Sequence, residues 1–190
     1  MVGIAQSRIQ DPRASFFVAD AAAGHTVVDG PFDRIVCNAA FAHFPSSAAV
    51  FESLSQLAAP GARLVFNVPA ARVEGLDHEI HAFQVALERR LDALVERSAS
   101  PLPSEFGLDD VERQLADAGF GQLQKERFTY SGRQGEFVEL MKIPPMMALL
   151  TPQLSAPDCA AVIEEASASV DHDQTVRVSW IYFSAVYGKA

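Results

Sequence analysis

The sequence predicts an α/β fold, and three observations carry that prediction. The stretch PFDRIVCNAAFAHFPSSAAVFESLSQLAAPGARLVFNVP, residues 31–69, reads as strand, loop, helix, turn and strand. A crossover of that length implies two parallel strands joined with right-handed sense. The chain has 190 residues, 49% of them hydrophobic and 21% charged, enough for a proper core in a globular domain.

Bulk properties exclude several functions. A net charge of −9 argues against a nucleic-acid partner, since phosphate binding needs clustered Lys and Arg. No apolar run approaches the roughly 18 residues of a membrane span, and no charged-then-apolar leader precedes a small-residue cleavage site. Cys37 and Cys159 lack the spacing of a disulfide framework, so a reducing, cytoplasmic setting is expected.

Each element follows in order. Residues 1–10 read as the end of an amphipathic helix, with Val2, Ile4, Ala5 and Ile9 apolar, and Asp11-Pro12 as a turn. Ser15–Ala19 (SFFVA) has the apolar run of a buried strand. Arg34–Asn38 reads as a strand covered on both faces. Ser46 or Ser47 is placed to cap the next helix, with Glu52 early in it and Val50, Leu54, Leu57 and Ala58 on its inner stripe. Pro60-Gly61 is expected to stop it before the strand Arg63–Val68. From Leu76 to Val95, Leu76, Ile80, Phe83, Leu87, Leu91 and Leu94 recur at helical spacing opposite Glu88, Arg89, Arg90 and Asp92. Ser98–Phe106, with two prolines, reads as a hinge or loop; Ile143–Thr151 is a second such region, before a helix capped by Ser155 with Val162, Ile163 and Ala166 inward.

The pattern FDRIVCNAAFAHF…PGARLVFNVP resembles the second half of a class I S-adenosylmethionine-dependent methyltransferase of the small-molecule kind. VADA, residues 18–21, is similar to the end of that family's third strand. EFGLDDVERQLADAGF resembles the helix and turn before its last strands, and VRVSWIYFSAVYGKA its closing strand. The resemblance implies an incomplete Rossmann-like methyltransferase sheet, mostly parallel with an antiparallel C-terminal strand. It also implies a helical cap near residues 71–106 on a single domain whose core is 1–70 and 107–190.

The same resemblance names candidate residues. Asp20 and Ala21 would meet the adenine of S-adenosylmethionine. Asn38, Ala39 and Ala40 would follow the fourth family strand at the carboxyl edge, where open parallel sheets bind ligands. Phe41 would wall that cleft or fill the core. His43 is a candidate general base, or a histidine bonded to a nearby backbone carbonyl. His78, Glu79 and His81 raise the question of a metal, but the spacing is not HExxH and no third ligand is apparent, so none is expected. Phe137, Met141, Met146 and Met147 would line a substrate pocket or belong to the core.

No G-x-G-x-G occurs in the sequence, and MVGIAQSRIQ is similar to the helix after the family's second strand. The chain therefore reads as a methyltransferase lacking its first two strands and one helix, with cofactor binding impaired or absent. Such a sheet would leave the 35–37 strand bare. The expectation is that the 15–19 strand slides against it, or that a homodimer or partner chain completes the sheet. The expected function is methyl transfer to a small, apolar acceptor; the alternative is a non-catalytic partner subunit or small-molecule-binding module.

Overall fold

The computed structural model describes residues 2–94, 107–143, 146 and 154–188. In chain order these hold α1 (Val2–Arg8), a 3-10 turn (Ala21–Thr26), β1 (Phe32–Cys37), a 3-10 turn (Phe41–His43), α2 (Ser47–Leu57) and β2 (Ala58–Pro69). A 3-10 turn (Ala70–Arg72), α3 (Ala82–Leu94), α4 (Leu108–Asp117), β3 (Phe120–Arg133), α5 (Gln134–Met141), α6 (Ala156–Ser167) and β4 (Thr175–Tyr187) follow. The hinge expected at 98–106 lies outside the described residues, as do Val95, Met147 and most of the second loop region. Among the described residues no helix is long and apolar enough to cross a membrane.

The four strands form one sheet in the order β1-β2-β4-β3. β1 and β2 are parallel, with Ile35 opposite Leu64 and Val36 opposite Val65. β4 runs against its neighbours. Phe183 stacks on Phe66 with ring centroids 4.7 Å apart, while Gly188 N–H donates to the Gly119 carbonyl and Gln134 N–H to the Gln174 carbonyl. Three strands thus share one direction and the C-terminal strand opposes them. This is the mixed α/β, Rossmann-like sheet the sequence predicts.

The expected strand at Ser15–Ala19 does not form. Those residues are irregular, and Phe17 and Val18 are 49% and 82% exposed. β1 is the edge of the sheet, so the segment has not slid against it. An apolar run becomes a strand only through a ladder partner, and this one has none among the described residues. Nor is β1 covered on both faces: Val36 is 71% exposed, whereas Ile35 and Cys37 are partly buried.

By contacts the chain divides into two compact units. The first comprises Met1–Asn67, Gly107–Glu126 and Tyr182–Ala190. Its centre is aromatic: Phe41 lies 4.5 Å from Phe66 and 4.9 Å from Phe51, centroid to centroid. Ser46 caps α2 by accepting from the Ala49 amide at 3.3 Å, and Val50, Phe51 and Leu57 face inward. Two details of α2 differ from expectation. Its first turn holds no acid, Glu52 lying further along. It ends at Leu57 rather than at Pro60-Gly61, because Ala58 already has extended backbone and pairs with Phe32. The turn after α4 is closed by Gly119 at φ +86°, a left-handed conformation that favours glycine.

The second unit comprises Val68–Phe106 and Arg127–Ile181. Its core joins Phe83, Leu87 and Leu91 of α3 to Val138 of α5 and to Val162, Ile163 and Ala166 of α6. α3 starts at Ala82, so Leu76 and Ile80 fall outside it and Ile80 is exposed. Arg90 pairs with Glu165 across α3 and α6. Gln134, fully buried, accepts from the Phe83 amide at 2.9 Å and donates to the Asp171 carbonyl at 2.8 Å.

Candidate functional site

The site begins where β1 ends. Parallel strands leave their carboxyl ends open to ligands, and here the chain turns out of β1 through Asn38, Ala39 and Ala40. Ala39 has φ +53°, a left-handed conformation that an alanine holds only when its surroundings enforce it. The enforcing group is Asn67 near the end of β2. Its buried side chain accepts from the Ala39 N–H through Oδ1 at 2.6 Å and donates through Nδ2 to Asn38 Oδ1 at 2.9 Å. Neighbouring parallel strands thereby set the shape of the loop.

Sequence reasoning missed Asn67. Its signal was there: one polar amide inside the otherwise apolar run LVFNV of a buried strand.

The other candidates fall as follows. Asn38 is exposed, and among the described residues its Nδ2 has no partner, leaving an amide donor for a ligand. Phe41 is fully buried in the aromatic cluster, the core position of the two left open. His43 is exposed at the end of the 3-10 turn that Phe41 opens, and its N–H donates to the Ala40 carbonyl at 3.0 Å. Asp20 is not at a strand end. It caps the turn Ala21–Thr26, with Oδ1 accepting from the Ala22 N–H at 2.9 Å, so Oδ2 is its remaining acceptor. That turn is fixed to α2 through His25, whose N–H donates to the buried Ser53 Oγ and whose Nδ1 lies 3.1 Å from it. Burial pushes the Cys37 thiol up, against the opposing pull of a backbone hydrogen bond from Ala40, so the sulfur beside the loop is neutral at pH 7.

In the second unit His78 Nδ1 faces the Leu76 carbonyl at 3.3 Å, and His81 Nδ1 accepts from the Gln84 N–H at 3.4 Å. Among the described residues no three His, Cys, Asp or Glu side chains gather as a metal would require. Met141 packs on the core of this unit, and Phe137 lies 5.4 Å from His81 and 6.3 Å from Tyr130.

A parallel strand–helix–strand pair with a shaped loop at its carboxyl end defines an α/β protein of the Rossmann-like class. A sequence profile of the methyltransferase domain matches residues 1–125. The chain belongs to that family, of the class I, S-adenosylmethionine-dependent type. Curated protein sequences give no match.

Solved structures agree on the fold. One is phosphoethanolamine N-methyltransferase 2 of Haemonchus contortus, determined with phosphomonomethylethanolamine and S-adenosylhomocysteine. It has a TM-score of 0.54 and 16% identity over 100% of this chain and 41% of that one. The [4+2]-cyclase SpnF gives 0.55 and 15% identity, over 99% of this chain and 61% of its own. A protein of Bacillus halodurans C-125 described as a methyltransferase gives 0.50 and 17%, over 90% and 70%. The chain thus spans under half the length of the Haemonchus enzyme and about three-fifths of the cyclase.

Proposed function

We propose that the chain takes part in S-adenosylmethionine-dependent methyl transfer to a small-molecule acceptor, with its grip on the cofactor incomplete. The observation that carries this reading is the Asn67-held loop at the carboxyl ends of β1 and β2. These residues carry groups a nucleoside could use: an amide donor on Asn38, an acceptor oxygen on Asp20, and only methyl groups at Ala21, Ala39 and Ala40. When bound, S-adenosylmethionine supplies an activated methyl group on its sulfonium, and the protein's task is mainly alignment. Asp20 Oδ2 would accept from the adenine amine and Asn38 Nδ2 would donate to the nucleoside. Phe41, locked in the core, would hold the loop from beneath. His43 would accept a proton at its imidazole where the acceptor has one to lose. The absence of G-x-G-x-G supports weak binding.

The expectation of an apolar acceptor rests on the apolar stripe of the expected cap, whose described helical part is the Phe83, Leu87 and Leu91 stripe of α3. That stripe packs on α5 and α6, so it supplies core rather than pocket lining.

A second reading, a non-catalytic subunit completed by a second copy or another chain, is favoured by the open face and free edge of β1. The likeness to a cyclase adds that this fold serves more than one chemistry. Calorimetric titration with S-adenosylmethionine separates the two. Saturable binding that is lost in Asn67→Ala supports the first, with a Kd weaker than about 100 μM expected of the incomplete grip, and no saturable binding overturns it.

A further inference from the structure

We propose that the second unit carries a binding site for the carboxylate or phosphate group of a small molecule. The place is a groove of about 440 Å³ between the 77–79 segment and strands β3 and β4. Its floor is a matched set. Thr129 and Ser179 face each other across the antiparallel strands with hydroxyls 2.9 Å apart. Side chains two residues apart share a face of a strand, so Arg127 stands beside Thr129 and Arg177 beside Ser179. Because the strands run in opposite directions, the two arginines lie at opposite ends of the hydroxyl pair. Each is displaced by about 7 Å along its strand, within reach of a long side chain bending back toward the centre.

The two arginines at the ends of this floor keep hydrogen-bond donors free. One hydroxyl donates to the other, which leaves one O–H for a ligand. Arg127 gives one Nη to the Asp77 main-chain carbonyl, which fixes the guanidinium without neutralising it. Among the described residues the Arg177 side chain has no hydrogen bond or ion pair, and no carboxylate pairs with Arg127. His78 turns Nδ1 to the Leu76 carbonyl and keeps Nε2 as its open nitrogen. Two guanidinium forks around a hydroxyl are the natural partners of a compact oxyanion.

Asp77 and Glu79 line the same groove and offset the two arginine charges. Recognition therefore works by contact rather than by a long-range field, which suits one small oxyanion and disfavours a polyanion. The proposal concerns this unit alone and stands apart from cofactor binding.

The test is titration of the whole chain with inorganic phosphate and separately with acetate, at ionic strength held constant with chloride, followed by NMR of arginine side-chain N–H signals and by thermal unfolding. Saturable binding with a Kd near about 1 mM is expected for at least one of the two, and which one binds identifies the group. Arg177→Gln should weaken it at least about tenfold, the loss of one charge-assisted contact, with the unfolding midpoint in chloride unchanged. Arg177→Lys, which keeps the charge and loses the fork, should fall between. Failure of both anions to saturate by about 20 mM overturns the proposal, as does equal competition by chloride or an unchanged Kd in Arg177→Gln. Should that variant unfold, shifts of the Arg127 and Arg177 side-chain signals in the unaltered protein decide the matter.

Discussion

Asn67 reaches across from β2 to hold the backbone of Ala39, its carbonyl oxygen 2.6 Å from the Ala39 nitrogen. The bond matters twice, because it satisfies a buried amide and holds an alanine in a left-handed conformation. Asn67→Ala should lower unfolding stability by about 1–3 kcal/mol, the net loss of the two hydrogen bonds its buried side chain makes. Urea unfolding measures that. Asn38→Ala loses the weaker half of the clip and should cost about 1 kcal/mol or less. If the loop serves cofactor binding, Asn67→Ala also abolishes it at temperatures where the protein remains folded.

A buried glutamine plays the equivalent part in the second unit. Gln134 satisfies the Phe83 amide at the start of α3 and the Asp171 carbonyl after α6. Its replacement by Leu fills the space but leaves both groups unpaired, so a loss of about 2–4 kcal/mol is expected by thermal or urea unfolding. A loss under about 1 kcal/mol would show that water takes over both bonds.

The sequence made the framework legible because the framework rests on period and order. The apolar strands at 35–37 and 64–68, the Ser46 and Ser155 caps and the inward Val162, Ile163 and Ala166 all lie where their spacing puts them. What it hid depends on partners distant in sequence. SFFVA has strand composition yet no ladder to join. Phe41 is equally apolar as cleft wall or core, and only Phe51 and Phe66 decide between them. The clip is spread over Asn38 and Asn67, which no local pattern connects. Arg127 and Arg177 share a face only because β3 and β4 pair with Thr129 opposite Ser179.

His81 makes stability depend on pH. Burial holds its imidazole below its ordinary value of 6.5, against the smaller upward pull of Glu79. The ring also accepts the Gln84 N–H, which only an unprotonated Nδ1 can do. With the folded-state value below the unfolded one, the unfolded chain takes up the proton first. The contribution is therefore complete above about pH 6.5 and is lost as pH falls below it. His81→Asn keeps a cap for α3 without a titrating group. It should flatten the fall of stability below about pH 6.5, read from unfolding midpoints at successively lower pH.

The free edge of the sheet gives the last test. Val36 and Leu64 lie on adjacent parallel strands, one 71% exposed and the other fully buried. A surface substitution away from special features changes stability by less than about 0.5 kcal/mol, so Val36→Thr should be near neutral. Leu64→Ala removes a side chain from a packed core and should cost about 2–5 kcal/mol. Sedimentation velocity adds the assembly side. If a second copy covers this face, Val36→Lys shifts the protein toward monomer, because a lysine there would be buried without a partner. A large stability loss in Val36→Thr at concentrations where the protein is monomeric would instead mean that β1 is covered within its own chain, contrary to the structure.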